Sequence, residues 1–266
     1  MTVCIAAASI AHDPALVFCV DMKGSVDYSS SETTWKWRPL QHGFHALMAG
    51  TTTTARELAS FCNLELKVKP NTINDLKKAL RRAIGRYKSE FADAHVQSRL
   101  GISYDAFRKT GRKTLPDDLF NQVSAEIRLH YSCAELIVAG FQQGPVMAKI
   151  SSDIVWSCDD FAVIGSGTLL AESSLYHREQ TFLYDLNTTL YNVYEAKRLA
   201  EKESNVGKKT CIYIVRPGLP TVQSLTPEGF KNLEKCFAKF GPQIVRPFDF
   251  TDTFIEVALR GGGRVN

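Results

Sequence analysis

Two short apolar runs open the chain, residues 3–8 (VCIAAA) and 15–20 (ALVFCV), with His12-Asp13-Pro14 between them. Both are rich in strand formers and the separator is a turn signal, which predicts a pair of adjacent strands. A polar loop follows over 23–32. Two further strand-like pieces, 33–40 and 44–49, are split by Gln41-His42-Gly43, so about four strands come before any helix. Gly50 closes this block, and Thr51 to Thr54 supply caps for a helix carrying Ala55, Leu58, Ala59 and Cys62 on one face. A second helix is predicted from about Thr72, with Ile73, Leu76, Leu80, Ala83, Tyr87 and Phe91 at three- and four-residue spacing. Residues 97–116 read as a basic connection containing turns, and Pro116-Asp117 starts a third helix with Leu119, Phe120, Val123 and Ile127.

Strand character returns at 134–141 and 145–156 around Gln142-Gln143-Gly144-Pro145, and again at 161–164 before Gly165-Ser166-Gly167. Helices are predicted at about 168–180 and 186–202, a buried strand at 210–215, a mixed helix and strand over about 230–258, and a Gly-rich tail at 260–266. Strands and helices come in groups, which predicts stacked sheet and helix layers and not alternating βα units.

With 266 residues, 44% of them apolar and 23% charged, the chain has an ordinary globular composition. No apolar run is long enough for a transmembrane helix, and the start lacks a signal-peptide pattern, so a cytoplasmic protein without membrane association is expected. The seven cysteines have no CxxC spacing and are expected to be reduced thiols. Net charge is +4, but residues 77–113 hold 11 Lys/Arg against 3 Asp/Glu, a local +8 that leaves −4 elsewhere. This basic stretch reads first as a solvated helix face or a subunit contact. Nucleic-acid binding is not expected, since Tyr87 and Phe91 belong to the apolar face and not among the cations.

Phosphate-binding, dinucleotide-binding, zinc-peptidase and serine-hydrolase motifs are missing, and the six histidines have no metal-ligand spacing. No metal or organic cofactor is expected. Thr2 stands out. Removal of Met1 would leave a hydroxyl beside a free α-amine, whose ordinary pKa is about 7.7–8.0, so one residue could supply nucleophile and base.

Several segments around it, in order, resemble the proteasome β-subunit family of N-terminal nucleophile (Ntn) hydrolases, including its bacterial proteasome-like branch. They are Met1-Thr2-Val3-Cys4-Ile5-Ala6, Val17-Phe18-Cys19-Val20-Asp21, Thr33-Thr34-Trp35-Lys36, Leu47-Met48-Ala49-Gly50, Ala162-Val163-Ile164-Gly165-Ser166-Gly167 and Cys211-Ile212-Tyr213-Ile214-Val215. The resemblance spans about 1–66 and 134–216. It implies an α+β fold, the four-layer αββα sandwich of the Ntn hydrolases, as one domain over 1–266 with a basic helical insertion at about 66–132. It implies a threonine-type peptidase in which Thr2 attacks, Lys36 stabilises the attacking oxygen, Asp21 orients Lys36, the Gly50 amide receives the oxyanion and Ser166 bonds the α-amine. Met48 and Lys23 would line the substrate pocket. Implied partners are a peptide or protein substrate and further copies of the chain in a ring or related homo-oligomer. An ATPase partner is left undefined.

The chain departs from the family pattern in three places. Trp37 falls where an ungapped alignment wants lysine, and one residue removed from the 23–32 loop restores Lys36. Glu203 and Ser204, ahead of Gly207, stand in for an aspartate and serine at altered spacing. The 66–132 stretch is longer than the family's helical layer. Ordinary roles remain open for each residue: Asp21 as a turn cap, Lys36 as a solvated strand residue, Ser166 as a turn serine. Three other functions compete with the peptidase: a non-catalytic ring subunit, an amidase or transpeptidase for one defined substrate, and a binding module using the basic stretch 77–113.

Overall fold

The structure, a computed structural model, describes residues 2–26, 29–31, 34–131, 134–219 and 221–242. Its organisation follows from strands buried on both faces. In β1 (Cys4–Ser9) and β2 (Ala15–Asp21) every residue is buried. Alternate side chains enter different cores: Ile5, Ala7, Val17 and Cys19 face one way, Cys4, Ala6, Phe18 and Val20 the other. A period-two chain with both faces covered is apolar along its length, which is why these strands read as continuous runs, with the polar Ser9 and Asp21 only at their last positions.

β1 and β2 pair antiparallel, with Cys4 opposite Val20 and Ser9 opposite Ala15. They lie centrally in a sheet ordered β10-β1-β2-β11-β12, where β10 is Phe161–Ile164, β11 is Thr210–Val215 and β12 is Gln223–Ser224. The second sheet runs β5-β6-β7-β8-β9: β5 (Trp37–Pro39), β6 (His45–Gly50), β7 (Ala134–Phe141), β8 (Pro145–Ser151) and β9 (Ile154–Cys158). The inner faces of the two sheets share one core containing Leu16, Phe18, Leu47, Ile137, Met147 and Ile164.

Helices cover both outer faces. α1 (Thr52–Glu65) and α2 (Ile73–Leu100) pack on the second sheet through Leu58, Cys62, Leu76 and Leu80. α6 (Thr168–His177) and α7 (Leu186–Ala200) pack on the first through Leu175, Val193 and Ala196. α8 (Pro227–Phe240) lies against the same side by Phe230, Leu233 and Phe237. This is the expected αββα sandwich with a helical insertion.

Several boundaries differ from expectation. The 23–32 loop forms a hairpin of β3 (Gly24–Val26) and β4 (Ser29–Ser31). Gly24 is required there, since a Cβ would fall 1.9 Å from Thr34 Oγ1. Of the described residues in the 33–40 stretch, only Trp37–Pro39 are strand. Residues 145–156 are two strands, because Ser152 and Asp153 take positive φ and turn the chain. The α1 start falls where expected, but the Thr51 hydroxyl makes no capping bond. Thr72 instead forms a reciprocal capping box with Asp75.

The largest difference is at 97–116. α2 continues to Leu100, ending on Gly101 at φ 69°. The chain then returns to helix as α3 (Tyr104–Ala106), a π turn Phe107–Gly111 and α4 (Arg112–Thr114), followed by α5 (Asp117–Tyr131). Ser103 caps Ala106 and Asp93 accepts from the Tyr104 amide at 2.8 Å. Phe107 packs with Ala92, Val96, Val123 and Ile127 in a small core of its own. The helix predicted near 168–180 stops at His177, where Glu179 takes φ 50°. The strand expected toward 258 and the tail at 260–266 lie outside the described residues, as do Met1 and Thr33.

Candidate active site

β1 and β2 place Thr2 beside Asp21. The two strands begin and end together, and the Asp21 amide donates to the Val3 carbonyl at 3.2 Å. Asp21 is fully buried. Its carboxylate would be costly there without donors, and it has five. Oδ1 accepts from the Val3 amide at 2.9 Å, from Lys36 Nζ at 2.8 Å and from the Thr2 hydroxyl. Oδ2 accepts from the Gly207 amide at 2.9 Å and the Lys23 amide at 3.3 Å.

Lys36 reaches this carboxylate from the segment ahead of β5. Its backbone carbonyl accepts from the Met48 amide at 2.9 Å, which ties it to β6. Its ammonium is buried, ion-paired with Asp21 and hydrogen-bonded to Thr2 Oγ. Trp37, the ungapped alternative, points elsewhere: it stacks with His45 and Tyr213 in the core. Of the two neighbouring residues it is Lys36, not Trp37, whose side chain reaches Asp21 and Thr2.

The Thr2 nitrogen donates to Ser166 Oγ at 3.2 Å, and Ser166 Oγ donates to the Thr2 carbonyl at 3.3 Å. Gly167 adds its amide to that carbonyl at 3.2 Å. Such a close approach needs glycine at 165: φ is 97°, and a Cβ would fall 2.3 Å from the Thr2 carbonyl oxygen. Thr2, Asp21, Lys36 and Ser166 thus form one hydrogen-bonded cluster.

Gly50 terminates β6 at φ 91°, two residues beyond Met48, in register with Ala134. Met48 is buried against the α1 and α2 core, and its carbonyl accepts from Cys4 Sγ at 3.4 Å. Lys23 sends its ammonium to the Ser204 carbonyl at 3.0 Å. Glu203 is not brought to the cluster. Its carboxylate accepts from Asn205 Nδ2 at 3.0 Å and Ser204 Oγ at 3.5 Å, and it bonds none of Thr2, Asp21, Lys36 or Ser166. The loop after α7 presents a backbone amide, that of Gly207, to Asp21 instead.

Two supporting groups escaped the sequence reading. Glu135 on β7 accepts from the Gly165 amide at 2.9 Å and from Ser151 Oγ at 2.6 Å, bracing the turn that carries Ser166. Its signal was a lone carboxylate inside the apolar run AELIVAGF. Gly207 is the other. A Cβ there would lie 2.5 Å from Lys23 Cβ and 3.0 Å from Asp21 Oδ2, so only glycine lets its amide reach the carboxylate.

Cys4 follows two residues after Thr2, at the start of β1. Burial pushes its thiol up to about 12, although the Lys36 charge pulls the other way, so it stays protonated and inert. Among the described residues no cluster of three or more His, Cys, Asp or Glu side chains is arranged to hold a metal ion. No helix among them is long and apolar enough to cross a membrane.

No family model matches the chain, and no curated protein matches it in sequence. Solved structures do match in fold. A (Gly-1) mutant of Anbu from Hyphomicrobium sp. strain MC1 superposes with TM-score 0.61 at 13% identity, over 100% of both chains. Eukaryotic HslV from Trypanosoma brucei superposes with TM-score 0.50 at 14% identity, over 80% of this chain and 99% of that one. The chain shares its fold with these two proteins.

Proposed function

We propose that this chain is a threonine-type peptidase that works from Thr2 once Met1 is removed. The observation that supports it most directly is the Thr2 hydroxyl, hydrogen-bonded to a buried ammonium and to that ammonium's carboxylate partner. The Lys36 charge favours an alkoxide on Thr2. The freed α-amine, held by Ser166, takes the hydroxyl proton as Thr2 Oγ attacks a peptide carbonyl. Negative charge on the carbonyl oxygen is received by the Gly50 amide. The α-amine then passes its proton to the departing amine, leaving a Thr2 ester, and activates the water that hydrolyses it. Every step uses groups of the chain itself.

The same reading includes assembly into a homo-oligomer in the cytoplasm, with the chain as one domain. The basic insertion would serve as a contact surface for a neighbouring copy or a substrate-delivering partner. Sedimentation velocity tests the assembly.

Intact mass with and without a peptide epoxyketone tests the nucleophile, because that warhead requires a hydroxyl and a free α-amine on one residue. The expected product is a chain lacking Met1 and carrying one inhibitor mass. Retained Met1 with no adduct would overturn the reading in favour of a non-catalytic subunit. Lys36→Ala is expected to lower peptide hydrolysis by at least about a hundredfold. Full activity in that variant would remove Lys36 from the mechanism.

A further inference from the structure

Lys197 sits in the last turn of α7 and is 0% exposed. It belongs to the helix's buried stripe, beside Val193, Ala196 and Ala200. Removing an ammonium from water costs several kcal/mol, so an apolar residue would serve packing better at this position. The cost is offset by two partners. Nζ donates to Glu201 Oε1 at 2.6 Å, one helical turn on, and to the Gly207 carbonyl at 2.9 Å. Gly207 is the residue whose amide holds Asp21 Oδ2.

Gly207 is therefore fixed from both sides, its carbonyl by Lys197 and its amide by Asp21. A glycine has the widest backbone freedom of any residue, so an unpinned Gly207 would sample many orientations. The ammonium removes that freedom. Gly207 gives Oδ2 its shorter bond, at 2.9 Å against 3.3 Å from the Lys23 amide, and with Oδ2 so held Oδ1 stays directed at Lys36 and Thr2. The Lys197 charge is also felt at Cys19, two residues before Asp21 on β2, where it opposes the rise that burial imposes on the thiol.

We infer that Lys197 is a positioning residue, which acts through Gly207 to orient the Asp21 carboxylate against Lys36 and Thr2. Its effect on turnover rests on the peptidase reading above; its effect on Gly207 and Asp21 does not.

Lys197→Met keeps an unbranched apolar stem of similar reach and removes the charge. Glu201 is not orphaned by it, because Arg198 Nε still pairs with Oε2 at 3.3 Å. Two readouts are needed. The first is deuterium uptake, followed by mass spectrometry, of the peptide spanning 201–210. The second is peptide hydrolysis resolved into kcat and KM across pH. Lys197→Met is expected to exchange faster over 201–210, and to lose about 10–100-fold in kcat at nearly unchanged KM, as small misplacements of catalytic groups do. Unchanged uptake in the variant overturns the inference whatever the activity. Faster uptake with unchanged kcat also overturns it, leaving Lys197 a structural cation. If the wild-type protein hydrolyses no peptide, the peptidase reading fails and uptake alone decides the inference. Should Lys197→Met not fold, Glu201→Gln replaces it. That variant loosens the ammonium without removing it, and is expected to give the same pattern with a severalfold fall in kcat; no change in either readout overturns the inference.

Discussion

Asp21 accepts from five donors, two of them attached to the groups proposed to do chemistry and three from the backbone. Substituting asparagine places an NH2 where a carboxylate oxygen now accepts, so at least one face meets donor against donor. It also leaves the buried Lys36 ammonium without a counter-charge. Breaking a buried pair by removing one partner costs about 3–5 kcal/mol. Asp21→Asn is therefore expected to lose roughly that much stability in urea unfolding and to form no epoxyketone adduct. A variant as stable as wild type would mean that the Lys36–Asp21 pair does not hold the site together. Thr2 stands out in the sequence by its place after Met1, whereas Asp21, Lys36 and Ser166 are picked out only by the family resemblance, since local pattern leaves each an ordinary turn or strand residue. Glu135, Gly207 and Lys197 are marked by neither. Their partners lie far along the chain, so burial and reach, not spacing, give them their roles. Glu203 illustrates the converse: the family resemblance implies a carboxylate there, but the turn after α7 brings the Gly207 backbone amide to Asp21.

At the level of elements, period-two and period-3.6 patterns located the strands and helices whose faces meet a core. They failed where local chemistry competes with packing. Residues 97–116 are basic and polar enough to read as a connection, yet Phe107 packs into the space between α2 and α5 and stacks on Phe120, with ring centroids 4.8 Å apart. That small core, built on Ala92, Val96, Val123 and Ile127, holds the far half of α2 and the helices after it. Truncating a buried phenylalanine costs about 3–5 kcal/mol. Because this core is separate from the cores that flank the two sheets, the loss should stay local. Phe107→Ala is expected to speed deuterium exchange across 92–127 while peptides covering β1, β2 and β6 exchange as before. Uniformly faster exchange throughout would show that the insertion and the sandwich unfold as one unit.

On the scale of the whole molecule, two sheets sharing one core bring Thr2, Asp21 and Lys36 together at one end, while the other end of β6 begins with His45. There the ring lies under Trp37, centroids 5.5 Å apart, and edge-on to Phe18. It is 7% exposed, and its Nδ1 has no partner among the described residues. Burial pushes its pKa down from 6.5 to about 4, since a proton would add a charge and an unmatched donor to the core between the sheets. The unfolded chain binds a proton at His45 below about pH 6.5, and the folded chain resists until about pH 4. Between those limits the unfolded state holds more protons, so stability must fall as pH falls. This contribution is complete above pH 6.5 and is lost progressively toward pH 4, amounting to about 3 kcal/mol over the window. His45→Phe retains a flat ring between Trp37 and Phe18 and cannot titrate. Urea unfolding at pH 7.5 and pH 4.5 should therefore show a smaller acid loss in His45→Phe than in wild type, by about 2–3 kcal/mol. Equal losses in the two proteins would mean that the end of the sandwich away from Thr2 opens to water before its histidine is protonated.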